Sequence, residues 1–205
     1  MIKLINDDCM NILKDYDDNY FDLAIVDPPY KDQKDQNPTQ HMRKNAINSS
    51  MSNFGNKPDK FYFDELFRVS KNQIIWGGNY FLEYLHNTSG MICWNKHQPF
   101  ETFSDFELAW TSFDCIARIF DMSIKEGNKT KKIHPTQKPI KLYNWLLHNY
   151  AKKGQKILDT HLGSGSIAIS CYDFGVDLVG IEINELYFKK AKERISNMTL
   201  QIGIF

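Results

Sequence analysis

Apolar and polar positions along this chain follow two periods. Short, largely apolar runs recur at Leu23–Val26, Gln73–Trp76, Met91–Trp94, Lys156–Asp159 and Asp177–Ile181, with a further one at Ile2–Ile5. Their length suits strands of a sheet, and the unbroken Leu-Ala-Ile-Val run suits a strand buried on both faces. Between them apolar residues return at helical spacing. Met10, Leu13 and Tyr16 mark a helix from Cys9 to Tyr16, and Phe63, Leu66 and Phe67 mark one from Asp59 to Val69. Leu142, Trp145, Leu146 and Tyr150 mark a third, opened by His134–Pro139; Ile167–Phe174 and Asn184–Ile195 follow the same rule. A shorter helix is expected at Tyr80–Leu85, beyond the break at Gly77-Gly78-Asn79. Phe106–Thr111 and Ile116–Phe120 are spaced to pair as a hairpin. Strands alternating with helices predict an α/β fold around a parallel sheet.

Two stretches lack either period. Lys31–Lys60 is rich in Asn, Gln, Ser, Lys and Asp and modestly basic; a segment of that length in a compact domain reads as a lid over a site or as an insertion with solvated charge. The second, holding Lys125, Lys129, Lys131 and Lys132 with only Glu126 to offset them, reads equally as a phosphate-contacting loop or a solvated connection. With 25 basic and 25 acidic residues the chain carries no net charge, so a nucleic-acid partner has to be held by such local patches. At 205 residues a single domain with a sizeable core is expected. Cys9, Cys93, Cys115 and Cys171 are too widely spaced for a metal-type pair and fit a reducing compartment. The absence of a long apolar run or signal-like N-terminus adds the expectation of a soluble, cytoplasmic protein without membrane contact.

Polar residues that invite chemistry collect where strands end. Asp27 closes Leu23–Val26 and is followed by Pro28, Pro29 and Tyr30. Ligands of open α/β sheets gather outside the carboxyl ends of the strands. The prolines contribute carbonyls but no N–H, so Asp27-Pro28-Pro29 offers acceptors to a ligand that donates, and Tyr30 offers it a flat aromatic face. A nucleobase with an amino group meets both conditions; an ordinary strand-ending turn accounts for the tetrapeptide equally well. Asp8 stands at a strand end and a helix start, where it serves as an N-cap, a ligand contact or both. Lys138, within His134-Pro135-Thr136-Gln137-Lys138-Pro139, lies where a carboxylate or phosphate would be held. The strand Lys156–Asp159, the loop Thr160-His161-Leu162-Gly163-Ser164-Gly165-Ser166 and the next helix form a nucleotide-binding order, completed by Glu182 at the end of the following strand, placed to accept from ribose hydroxyls. No Gly-Lys-Ser/Thr occurs, so triphosphate hydrolysis is not supported.

Taken in order, Asp27-Pro28-Pro29-Tyr30, His134–Pro139, Asp159–Ser166 and Glu182 resemble the DNA amino-methyltransferases that use S-adenosylmethionine. With the catalytic motif ahead of the glycine loop, the order is similar to the permuted β group of that family, which includes solitary and phage-type adenine methyltransferases; restriction–modification is the implied setting. The resemblance implies a Rossmann-like sheet, mainly parallel with an antiparallel edge and helices on both faces. One methyltransferase domain, residues 1–205, would comprise a catalytic half at 1–133 and a cofactor half at 134–205. It implies transfer to the N6 amine of adenine, Asp rather than Ser favouring adenine over the N4 amine of cytosine. Asp27, Pro28, Pro29 and Tyr30 would meet the target base. Asp8, Thr136, Lys138, Asp159, Gly163, Gly165 and Glu182 would line the cofactor, with no metal required. The implied partner is DNA with its target base flipped out, and a homodimer stays open. Thr160, His161 and Ser166 depart from the family's usual Asp-Pro-Phe-x-Gly-x-Gly-Thr loop. An RNA or protein amino-methyltransferase, a silent nucleic-acid-binding relative and a dinucleotide-dependent reductase are the competing readings; the last leaves Asp-Pro-Pro-Tyr unexplained.

Overall fold

The computed structural model describes residues 1–32, 55–98, 104–123 and 132–202. Most of the Lys31–Lys60 stretch, and Lys125, Lys129 and Lys131 of the second basic loop, lie outside the described residues. Among the described residues eight strands form one sheet: β1 (Ile2–Ile5), β2 (Leu23–Val26), β3 (Gln73–Trp76), β4 (Met91–Asn95), β5 (Phe106–Thr111), β6 (Arg118–Asp121), β7 (Lys156–Asp159) and β8 (Asp177–Ile181). Their spatial order is β1-β8-β7-β2-β3-β5-β4-β6. β5 runs against its neighbours β3 and β4, while the other pairings are parallel. The antiparallel strand thus lies towards one side of a mainly parallel sheet, and the carboxyl ends of the other seven share one edge.

The central strands are buried on both faces, as their unbroken apolar runs require. Alternate residues of β2 go to opposite sides: Leu23 and Ile25 join Ile74, Trp76, Ile92 and Ile157 in one core, and Ala24 and Val26 join Ile75, Trp110 and Leu158 in the other. The first core is closed by α3 (Ile140–Tyr150), α4 (Ser166–Phe174) and the inner side of α5 (Glu185–Ile202), through Leu142, Leu146, Ile167 and Ala191. The second is closed by α1 (Cys9–Leu13) and α2 (Lys60–Val69), through Leu13, Phe63 and Leu66. Each fully buried aliphatic side chain in these layers contributes about 1.5–3 kcal/mol. Among the described residues no helix is long and apolar enough to cross a membrane.

Four expectations need correction. β6 does not form a hairpin with β5: it pairs in parallel with β4, Ile92 opposite Arg118 and Asn95 opposite Asp121. Both edges of β5 are already taken by β3 and β4, so the chain has to pass to the far side of β4. The helix expected at Tyr80–Leu85 is a single 3-10 turn, Gly78–Tyr80, stopped at Phe81, whose backbone is not helical and whose ring is buried. His134–Pro139 does not begin a helix; α3 starts at Ile140 with Pro139 as its cap. The physical cause is Pro139, which disfavours the helical conformation at the preceding Lys138. The first helix also stops short, at Leu13 rather than Tyr16.

Candidate active site

Strand phase decides which side chains meet at the carboxyl edge. Asp27 follows β2 in the phase of Leu23 and Ile25, and Asp159 ends β7 in the phase of Ile157. Glu107 is two residues before Ala109, and Lys96 two after Trp94, both residues of the same core. All four are thereby directed to the side of the sheet that carries the segment before α3, from which Lys138 enters. Lys138 Nζ donates to Asp27 Oδ2 at 2.5 Å and lies 3.2 Å from Glu107 Oε2, and Glu107 Oε1 accepts from Lys96 Nζ at 3.2 Å. The ammonium also stands 5.1 Å from the centre of the Trp76 ring. The Lys138 side chain is 4% exposed. Burial disfavours its charge, but Asp27 and Glu107 outweigh that and raise its pKa. Burial likewise opposes the charge on Glu107, and the two lysines overcome it, lowering that pKa.

The other Asp27 oxygen, Oδ1, accepts from the Tyr30 hydroxyl at 2.8 Å. The Tyr30 ring stacks on Tyr80, with centroids 4.8 Å apart and planes 14° from parallel, and Tyr80 itself is 48% exposed. Burial and the Asp27 charge push the Tyr30 phenol well above its ordinary pKa, so it stays a donor. Gly77, left-handed at φ +66°, lets that ring approach: a Cβ there would come 2.1 Å from Tyr30 Cε1. Pro28 is buried and Pro29 half-buried, beside the carboxylate they follow.

On the glycine-loop side, Glu182 ends β8 and is fixed by two backbone donors, Gly163 N at 2.8 Å to Oε2 and Asn184 N at 2.9 Å to Oε1. Burial raises its pKa against those two bonds. Gly163 and Gly165 are both left-handed, at φ +52° and +69°. A Cβ at Gly165 would strike Ile195 Cδ1 at 2.6 Å, so α5 packs directly on the loop. Arg194 of the same helix donates to the Ser164 carbonyl at 2.7 Å, and Ser166 Oγ donates to the Lys138 carbonyl at 2.8 Å. Asp159, 2% exposed, accepts from His161 N at 3.0 Å; burial pushes its pKa up to about 8.

The expected residues thus fall into two groups along one edge. Asp27, Pro28, Pro29, Tyr30 and Lys138 meet at the end of β2, and Asp159, Gly163, Gly165 and Glu182 at the ends of β7 and β8. Lys138 belongs with Asp27 rather than on an open anion site. Thr136 is exposed and pairs with His134 Nδ1 at 3.1 Å, while the His134 ring packs on Tyr187, 4.3 Å between centroids. A side chain at Gly163 would meet that ring at 3.7 Å, which places His134 over the glycine loop. Asp8 is the N-cap of α1, accepting from Met10 N at 2.9 Å, and is exposed at the end of β1 next to β8. At the departure from the family loop, Thr160 Oγ1 bonds Tyr62 Oη at 2.7 Å and His161 Nδ1 at 2.9 Å. Burial holds His161 down at about 4, so it is neutral near pH 7. Sequence reasoning missed Glu107, Lys96, Arg194 and Tyr62. The available signal was parity: Glu107 stands two positions from a core residue at the start of a strand, the place from which a charged group points inward at the sheet edge.

The N6/N4 DNA methylase family model matches residues 92–193. The type II methyltransferase M.HpaI of Haemophilus parainfluenzae is 25% identical over 240 aligned positions, covering 95% of this chain and 74% of that protein. The M1.HpyAVI structure in complex with SAM superposes with a TM-score of 0.65 at 19% identity, covering 95% of this chain and 99% of the other. The PvuII cytosine-N4-specific DNA methyltransferase superposes at 0.66 with 10% identity, covering 98% and 92%. At those identities the two superpositions speak for the fold. With the matched family model, the likeness to M.HpaI over 95% of this chain and the shared sheet, this chain belongs to the S-adenosylmethionine-dependent amino-methyltransferases of DNA.

Proposed function

We propose that the chain transfers a methyl group from S-adenosylmethionine to the N6 amine of adenine in DNA. It would act as one domain, with residues 1–133 serving the target and 134–205 the cofactor. The observation that carries this reading is the Asp27 carboxylate at the end of β2, with the donor-free Pro28 and Pro29 behind it and an aromatic ring bonded to it. The exocyclic amine is a weak nucleophile because its lone pair is delocalised into the ring. An acceptor on its N–H bonds raises the electron density on nitrogen and stabilises the positive charge that develops there. Asp27 and the Pro28 carbonyl would take that role. The base is out of reach inside a duplex and has to be flipped, and Tyr30 with Tyr80 supplies aromatic surface for it. The Asp first position favours adenine.

The residues at the ends of β7 and β8 fit the cofactor. Glu182 is held by two backbone N–H groups and keeps lone pairs for ribose hydroxyls, and the left-handed Gly163 lets the backbone come close. Asp8, Thr136 and Asp159 are assigned to the same side. When bound, S-adenosylmethionine supplies a methyl group already activated by its sulfonium. The test is transfer of a labelled methyl group to duplex DNA of mixed sequence, followed by mass spectrometry of the nucleosides. N6-methyladenine is the expected product; N4-methylcytosine would move the reading to the other amine, and no labelled base would overturn it.

A further inference from the structure

Both oxygens of Asp27 are engaged within the chain, Oδ1 by the Tyr30 hydroxyl and Oδ2 by the Lys138 ammonium at 2.5 Å. A target amine that donates to Asp27 therefore meets a carboxylate already bonded to a cation, the strongest kind of hydrogen bond available to it. Leaving the ammonium in place would also put a fixed positive charge beside a nitrogen that is becoming positive. Two like charges in contact in a buried, weakly screened site repel strongly. The ammonium cannot simply withdraw into water, because its side chain is 4% exposed and stranding a buried charge costs several kcal/mol. Among the described residues Glu107 is the other carboxylate paired with it. Glu107 Oε2 lies 3.2 Å from the same nitrogen, on the side away from β2, at the start of the antiparallel strand.

We propose that Glu107 is a positioning residue that takes over the Lys138 ammonium when the target amine displaces it from Asp27. The inference rests on the reading of Asp27 as the acceptor of that amine. Glu107 suits the role because it is anchored from behind: Lys96 Nζ holds its other oxygen, and Lys96 is itself buried. A small displacement trades the present pairing with both carboxylates for one with Glu107 alone, without exposing the ammonium. With Lys96 counted, the two carboxylates and two ammoniums of the cluster sum to no net charge, so Asp27 becomes an uncompensated anion at the reacting nitrogen only once Lys138 has moved onto Glu107. Glu107 then acts on the reaction solely through Lys138 and touches neither base nor cofactor.

That dependence is what the experiment reads. Methyl transfer to duplex DNA is measured for the parent, Glu107→Gln, Lys138→Met and the double variant, with cofactor affinity of each followed by calorimetry as the check on folding. Glu107→Gln removes the charge that receives Lys138, and its kcat is expected to fall roughly 10- to 100-fold with the cofactor Kd unchanged. In the Lys138→Met background the same substitution is expected to change kcat by less than about twofold, because the group that Glu107 acts on is gone. Glu107→Asp, which keeps the charge with a shorter reach, is expected to recover part of the rate. Parental kcat in a folded Glu107→Gln, or an equal loss with and without Lys138, overturns the inference. So does a Glu107→Asp rate no better than that of Glu107→Gln. A parent protein that methylates no DNA overturns the function on which the inference rests; an active parent insensitive to Glu107 overturns this inference alone.

Discussion

Gly77→Ala tests whether the Tyr30–Asp27 pair is held by the backbone of β3's end or merely rests near it. Gly77 is left-handed, φ +66°, a region that costs a residue with a Cβ about 1–2 kcal/mol. The new methyl would stand 2.1 Å from Tyr30 Cε1, 2.5 Å from Cζ and 2.7 Å from Cδ1, over the face of the ring. Carbon atoms rest about 3.5–4.0 Å apart, so the ring has to retreat by more than about 1 Å. That breaks the 2.8 Å bond from Tyr30 to Asp27 and disturbs the stack on Tyr80. A hydrogen bond to a charged group contributes about 1.5–3 kcal/mol, so strain and lost bonding together should destabilise the fold by about 2.5–5 kcal/mol. Displacement of a reacting group by ~1 Å lowers turnover on the order of 100-fold. Urea unfolding followed by tryptophan fluorescence gives the first number, and labelled-methyl transfer the second. Gly77→Asn separates the two causes, since Asn tolerates the left-handed region better than Ala but brings the same Cβ. Parental turnover in both variants would refute the argument that Gly77 sets the position of Tyr30. Loss in Ala but not in Asn would assign the effect to backbone strain.

Tyr30→Phe keeps the ring and removes the donor to Asp27 Oδ1, so base capture monitored by 2-aminopurine fluorescence should survive while turnover falls about 10-fold or more; unchanged turnover would leave the hydroxyl without a role. Glu182→Ala is expected to weaken S-adenosylmethionine binding by roughly 1.5–3 kcal/mol in calorimetry, and parental affinity in a folded variant would remove Glu182 from the cofactor site. Asp159 gives the fold a pH dependence: burial raises its pKa from 3.8 to about 8, so between those values the folded protein holds a proton that the unfolded chain has released. Stability from this group is complete below the unfolded pKa and is lost as pH rises through the folded one. The parent should therefore lose stability relative to Asp159→Asn between pH 5 and 8 in urea titrations, and a pH-independent difference between the two would show that Asp159 is already ionised in the folded protein.

Much of the architecture was legible from periodicity alone. β2 and β3 are runs whose every residue is buried, and β1, β7 and β8 fall where the apolar pattern placed them. The two halves of the candidate site were legible as clusters because each is carried by a short contiguous segment: Asp27–Tyr30 follows one strand, and Asp159–Ser166 joins a strand to a helix. Local chemistry suffices there, since proline removes donors and glycine opens the left-handed region. The sequence was silent where partners are far apart along the chain. Lys138 and Asp27 are 111 residues apart, and only the packing of the segment before α3 across the sheet edge turns an apparent anion-binding lysine into the partner of a carboxylate. Parity turns Glu107 to the inner face, but the partners it meets there, Lys96 and Lys138, arrive from β4 and from the α3 approach and had no local sign. The β5–β6 hairpin failed for the same reason. Proximity in sequence predicts pairing only when both edges are free, and occupancy of an edge is a property of the assembled sheet. Periodicity sets which face a side chain takes; which charges then share that face is decided by strand order, which no local pattern encodes.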